Sequence, residues 1–123
     1  MSSLKEMTTN IIKLEKFTGV DFRRWQKKML FLLTTLNVAY VISTPRPKEK
    51  ETETVEETVQ RNEWDNDDFI CGGHILNSMA ESLFDVYQYM ESAKELWNVL
   101  AGKHIAEYAT SKQFLVSSFN DYK

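Results

Sequence analysis

A run of apolar residues at helical spacing follows the turn-forming Gly19. Its members lie on one face of a helix predicted over about residues 21–37: Phe22, Trp25, Met29, Leu32 and Leu36. Asp21 is expected to cap this helix, because its carboxylate would accept hydrogen bonds from the free amides of the first turn. Val20 and Trp25 would then occupy the two positions of a hydrophobic staple.

A second helical pattern reaches full strength by Trp64 and continues to about Met79. Its stripe has one polar member, Asp68, among apolar residues: Trp64, Cys71, Ile75 and Met79. Thr54 and Glu57 have capping-box spacing, so the helix could begin much earlier. The glycine pair at residues 72–73 predicts either a kink or a close approach of another helix, and we favour close packing.

The segment between these helices loses the apolar pattern. Residues 38–42 fit a short helical turn or an extended piece, and the prolines in residues 44–47 end whatever precedes them. Residues 48–57 are charged and threonine-rich, without an aromatic side chain. This composition predicts a charged, flexible loop at about residues 44–58.

Three weaker patterns follow. Residues 81–89 predict a short helix or a turn, and Ser92 and Glu95 have the spacing of a capping box that opens another helix. The inward face of that helix is Ala93, Leu96, Trp97 and Leu100, and Gly102 would end or loosen it. A last pattern contains Tyr108, Leu115, Phe119 and Tyr122. After a polar lead-in at residues 1–16, the chain is therefore predicted to be all-α, a compact bundle of four to five helices over residues 17–123.

These patterns nominate a structural core. It comprises Phe17, Phe22, Trp25, Met29, Leu32, Trp64, Cys71, Ile75, Leu96, Trp97, Leu100 and Phe119. The 42% of apolar residues in a chain of 123 is sufficient for such a core. Four glycines and two prolines are too few for a turn-rich β-sandwich.

Net charge and cysteine content limit the binding partners and the cellular compartments that fit this chain. A formal net charge of −3 argues against strong attraction of the whole domain to nucleic acid or anionic lipid. A single cysteine fits a reducing compartment, and the N-terminus lacks the apolar stretch of a signal peptide. We expect a cytoplasmic or nuclear protein that does not cross a membrane.

No catalytic or metal-binding constellation emerges. Cys71 and His74 are one helical turn apart, but zinc needs four ligands and His104 is the only other histidine. Cys71 lies on the apolar stripe, where a thiol is inert. The acidic cluster of Asp65, Asp67 and Asp68 fits a helix start. We expect no enzymatic activity, cofactor or small-molecule substrate.

Basic residues cluster within two turns of the first helix: Arg23, Arg24, Lys27 and Lys28. This face could contact RNA, lipid phosphates or an acidic surface of a neighbouring copy, or could simply be solvated. No aromatic residue interleaves with the four cations, which weakens the case for single-stranded RNA. Together with the loop at residues 46–60, it is the candidate surface for contacts between copies or with RNA.

Four short motifs follow one another along the chain. Residues 17–29 read F-x-G-x-[ND]-F-x-x-W-x-x-x-M, and residues 64–77 read W-x-x-x-D-x-x-C before I-L-N. Residues 93–97 read A-K-E-L-W, and K-Q-F-L-V-S-S-F-N-D-Y-K ends the chain at residues 112–123. Motifs in this order and at this spacing resemble the Gag polyprotein of plant copia-type LTR retrotransposons. The resemblance covers roughly residues 10–123.

The resemblance implies a helical domain like the N-terminal lobe of a retroviral capsid, whose copies assemble into virus-like particles around the element's RNA. Such chains normally continue into a second helical lobe and a zinc knuckle, and Lys123 precedes both. The resemblance thus implies a truncated product, a domesticated remnant or an excised lobe. His104 stands where the family often has an aromatic residue.

The leading hypothesis is a Gag-like structural protein that self-associates into homo-oligomers. One alternative is a domesticated helical module that binds another protein without assembling particles. A third hypothesis, weakened by the net charge, is a helical domain that binds RNA.

Overall fold

The computed structural model describes residues 15–104, which form five helices. They are α1 (Phe22–Thr35), α2 (Tyr40–Ser43), α3 (Val55–Asn77), α4 (Glu81–Tyr87) and α5, at residues 93–104. The 23-residue α3 is the central element, because α1, α2 and α4 all pack against it. No strand forms within the described range, so the predicted all-α bundle is confirmed.

The start of α1 differs from the prediction. Asp21 is the N-cap, but its backbone is left-handed (φ 55°) and its side chain makes no capping hydrogen bond. A capping side chain reaches the first turn from an extended backbone, which Asp21 does not have. Val20 is 68% exposed, so the predicted staple with Trp25 is also wrong. Phe17 covers Trp25 instead, with ring centroids 4.9 Å apart.

Phe17 is held in place by its backbone. Its N–H donates to the Ser78 carbonyl oxygen (2.8 Å), and its own carbonyl oxygen accepts from the Ala80 N–H (2.9 Å). This short parallel bridge ties the segment before α1 to the connection between α3 and α4.

The helix α3 begins at the earlier of the two starts that the sequence allowed. The Thr54 hydroxyl accepts from the Glu57 N–H (3.1 Å), and the Glu57 carboxylate accepts from the Thr54 N–H (3.3 Å). This complete capping box fixes the first turn, so the preceding loop is shorter than the predicted 44–58 and ends at Thr54.

Most of the nominated core positions are buried. They are Phe17, Phe22, Trp25, Met29, Leu32, Trp64, Cys71, Ile75, Leu96 and Leu100. Trp97 is only partly buried and packs against the core at its rim, 6.4 Å from the Trp25 ring. Phe119 lies outside the described residues, as do the rest of the last predicted helix and residues 1–14 of the lead-in.

Both buried tryptophan N–H groups find hydroxyl acceptors at helix ends. Trp25 Nε1 donates to Ser78 Oγ (3.2 Å) at the end of α3, and Trp64 Nε1 donates to Thr44 Oγ1 (3.3 Å) at the end of α2. Each indole therefore packs in the core without an unsatisfied donor.

The glycine pair inside α3 only partly matches the prediction of close packing. A Cβ added to Gly72 would meet the Ala93 Cβ at 3.9 Å, which is ordinary contact with the start of α5. A Cβ added to Gly73 would meet nothing within 4 Å. Gly102 lies within α5, which continues to residue 104.

The start of α5 is capped from two sides. Ser92 Oγ accepts from the Glu95 N–H (3.1 Å), as the capping-box spacing predicted, although the Glu95 carboxylate takes the Glu91 N–H (3.2 Å) and not that of Ser92. Asp68 Oδ1 accepts from the Ala93 N–H (2.9 Å) across the interface with α3. The polar exception on the α3 stripe is thus a cap for another helix.

Candidate functional site

The predicted basic residues of α1 lie on its solvent face. Trp25 and Met29 turn into the core, so the remaining arc of the helix carries Arg23, Arg24, Lys27 and Lys28, all of them exposed. The helix contains no acidic residue. The side chains of this face therefore form a local positive patch on a chain of net negative charge.

An exposed aromatic residue extends this patch. Phe31 is 69% exposed and follows Lys27 and Lys28 by one helical turn on the same side of α1. The sequence interpretation did not separate it from the buried leucines beside it. The sequence did contain a signal that Phe31 is exposed, because position 31 falls outside the apolar stripe of α1.

A surface pocket of about 310 Å³ lies where this face meets the segment before α1. Arg24 and Lys28 contribute positive charge to its lining, but Glu15 and Asp21 contribute negative charge. This mixed lining gives no strong preference for a phosphate group.

The charged loop is bound to α3. Arg46 makes a two-pronged ion pair with Asp65, with Nε–Oδ1 and Nη2–Oδ2 distances of 2.6 and 2.8 Å. Lys50 Nζ lies 2.7 Å from the Glu57 carboxylate. These contacts raise the pKa of Arg46 and lower that of Asp65. The sequence predicted a flexible loop, but Arg46 and Lys50 of this loop both form ion pairs with α3.

Arg61 forms the most buried ion pair of this region. Its guanidinium donates to the Glu53 carboxylate, and the side chains are 9% and 13% exposed. The Thr58 hydroxyl donates to the same carboxylate at 2.7 Å. The arginine and the hydroxyl together lower the pKa of Glu53 to about 2.

The acidic cluster lies in the middle of α3, so its prediction as a helix start is wrong. Because α3 begins at Val55, these residues come about three turns later. Each has a separate structural partner: Asp65 binds Arg46, Asp67 accepts from the Tyr40 hydroxyl, and Asp68 caps α5. Burial and the Asp67 hydrogen bond raise the pKa of Tyr40 to about 12.

The outward face of α3 is a feature that the sequence interpretation missed. Val55 and Phe69 are 82% and 81% exposed, and Val59 is 47% exposed. They recur on one side of the helix, which is the side away from Trp64 and Cys71. The expectation of a loop through residue 58 concealed the first turn of this face, where Val55 lies.

Nucleophilic and metal chemistry find no support among residues 15–104. Burial, together with the nearby charges of Asp68 and Asp67, raises the pKa of the Cys71 thiol to about 12. Such a thiol stays protonated and unreactive at neutral pH. No group of three or more metal-ligating side chains occurs in the described range.

His104 is buried against two aromatic rings. Its imidazole lies edge-on to Phe17 (5.0 Å) and stacks on Phe22 (5.2 Å). The histidine thus makes the ring contacts of an aromatic core residue.

None of the helices within residues 15–104 has the length and apolar character needed to span a bilayer.

Comparison with known proteins adds one family. The family described as gag-polypeptide of LTR copia-type matches residues 29–123, which is more than half of the chain. The chain matches no curated protein and no solved structure.

Proposed function

Because the chain belongs to the gag-polypeptide family of copia-type LTR retrotransposons, we propose that it is a capsid lobe that self-associates and contributes to virus-like particles around the element's RNA. The family match carries the proposal. A Gag role is structural, so we infer that the chain works through its surfaces and not through catalysis.

The described surface supports this proposal. A bundle that buries two of its three tryptophans can keep its shape while its outer faces meet other molecules. Large apolar side chains on those faces, Phe31 and Phe69 among them, would lose water on contact with another copy.

Sedimentation velocity across a concentration series tests the proposal. The weight-average sedimentation coefficient of the purified, nucleic-acid-free chain should rise with concentration, and electron microscopy of the heaviest fraction should show closed or extended assemblies. A chain that stays monomeric at about 1 mM, where an association free energy of only about −4 kcal/mol would be visible, contradicts it.

RNA binding by the isolated domain is a second candidate, favoured by the four cations of α1. If these residues contact phosphates, affinity for a single strand should fall steeply with salt. Neutralising Arg23, Arg24, Lys27 and Lys28 to glutamine should then flatten the slope of log K against log salt by about 0.7 for each lost contact. An unchanged slope would remove this candidate.

A further inference from the structure

The outward faces of α1 and α3 have opposite charge. The helix α1 contains four basic residues and no acidic one, whereas α3 contains six acidic residues and one arginine. The arginine, Arg61, is buried and already paired with Glu53. Of the other α3 carboxylates, Glu57 and Asp65 pair with lysine and arginine of the preceding loop, whereas Glu56 and Glu63 make no ion pair with another described residue. The outward face of α3 therefore has a negative edge, and the outward face of α1 is positive.

The outward face of α3 has the composition of a contact surface. A stripe of uncharged residues follows the 4-3-4-3 spacing of a helix seam: Val55, Val59, Asn62, Asn66 and Phe69. Glu56 and Glu63 flank this stripe on one side, and both are exposed and make no ion pair with another described residue. An apolar centre beside a charged edge is the usual anatomy of a protein interface.

The outward face of α1 is its counterpart. Phe31 supplies an exposed aromatic side chain, and Lys27 and Lys28 lie one turn before it. Neither lysine makes an ion pair with a described carboxylate. Both helices bury their opposite sides against the common core, so these outward faces cannot meet within one chain.

We propose that the outward face of α1 in one copy docks on the outward face of α3 in a second copy of this chain, an assignment that rests on the proposed capsid function. Charge decides the pairing. Two α1 faces would bring the lysines of both copies together, and two α3 faces would bring the glutamates of both copies together, and like charges in contact oppose binding. Only the mixed pairing places Lys27 and Lys28 beside Glu56 and Glu63.

The pairing is head-to-tail, so the assembly formed by each contact still has one free α1 face at one end and one free α3 face at the other. Such an interface closes into a ring or continues as an open array, whereas a two-fold contact would stop at a dimer. A single helix face on each side is smaller than a standard interface, so each contact should be weak and assembly should require many of them.

Charge reversal of each face tests the assignment. The variant Lys27→Glu/Lys28→Glu makes α1 acidic, and Glu56→Lys/Glu63→Lys makes the edge of α3 basic. Each variant alone should raise the dissociation constant of self-association by at least about tenfold, since its two faces now repel. An equimolar mixture should recover association, because each variant supplies the partner face that the other needs.

The controls separate charge at these faces from charge in general. Lys48→Glu/Lys103→Glu changes the net charge as much as the α1 variant but alters exposed lysines elsewhere, so it should associate like the original chain. All four positions of the two reversed pairs are exposed, and circular-dichroism melts should show that both variants remain folded. All measurements use nucleic-acid-free protein, so that bound RNA cannot bridge copies.

Each outcome bears on the assignment. If the original chain associates but neither reversed variant is impaired, or if the mixture fails to recover, the docking pair is wrong while the proposed function stands. If only the α1 variant is impaired, the basic face serves another contact and the pair is again wrong. If the original chain never associates, both the pair and the capsid function fail.

Discussion

Arg61 shows how a single charge is accommodated at the edge of this bundle. Its side chain is 9% exposed, and carboxylates from the preceding loop surround it: Glu53 in direct contact, and Glu49 at 3.9 Å. Burying a charge is costly unless it is paired, so the ion pair fixes the loop against α3. The charged run from which these glutamates come had suggested only solvent exposure.

Stability should depend on pH through this pair. The folded-state pKa of Glu53 is about 2, below its usual value of 4.5, so its contribution is present above pH 4.5 and is lost as the pH falls toward 2. The variant Glu53→Gln should be less stable at pH 7, because Arg61 keeps a buried charge without its partner, and should lose less stability over that acid range.

Urea unfolding at pH 7, 4.5 and 3 measures this effect. Glu51→Gln is the matched control, since Glu51 is an exposed neighbour without an ion pair to a described residue. Parallel pH profiles for the original chain and Glu53→Gln would show that this carboxylate does not stabilise the fold.

Spacing predicted the buried residues better than it predicted their polar partners. Periodicity identifies Trp25, Trp64 and Cys71 as inward-facing, because helical geometry alone determines which positions share a face. It could not predict that Asp68 caps a helix that begins 25 residues later, because that contact depends on how α3 and α5 pack. The pattern of apolar residues could not predict the left-handed backbone of Asp21 either.

At the scale of elements, helix starts with a reciprocal cap were predictable. The capping box at Thr54 predicts the observed start of α3. A start near Trp64 instead makes the acidic cluster look like a helix start and extends the predicted loop to residue 58. Local chemistry thus outweighed the apolar pattern, which is weak in the first two turns because their outward valines face solvent.

The same helix offers a site where stability should increase. Gly73 lies in the interior of α3, and a Cβ there would meet no atom within 4 Å. Gly73→Ala should therefore raise the free energy of unfolding by about 0.5–1 kcal/mol, mainly because alanine loses less backbone entropy in a helix.

Urea unfolding at pH 7 compares this variant with Gly19→Ala. A Cβ at Gly19 also meets no atom within 4 Å, but the backbone φ there is 101°, which L side chains rarely adopt. Gly19→Ala should thus lower the free energy of unfolding. A loss of stability in Gly73→Ala would show that α3 needs the freedom of this glycine.

At the scale of the molecule, the fold closes around a residue that precedes its first helix. Phe17 is 2% exposed and contacts the rings of Phe22 and Trp25 in α1 and of His104 in α5. Its backbone bonds reach the connection between α3 and α4. The motif that begins with Phe17 predicted that it is buried, but not that it joins elements so distant in sequence.

Removing this side chain should therefore weaken the whole bundle and not one helix. Phe17→Ala should cost about 3–5 kcal/mol, the usual loss for a phenylalanine in a packed core. Phe31→Ala removes the same atoms from a side chain that is 69% exposed, so it should change stability by at most about 0.5 kcal/mol. Urea unfolding at low micromolar concentration, where association between copies does not contribute, compares the two. Equal effects would show that Phe17 does not hold these elements together, whereas a loss of cooperativity in Phe17→Ala alone would show that the bundle separates into parts without it.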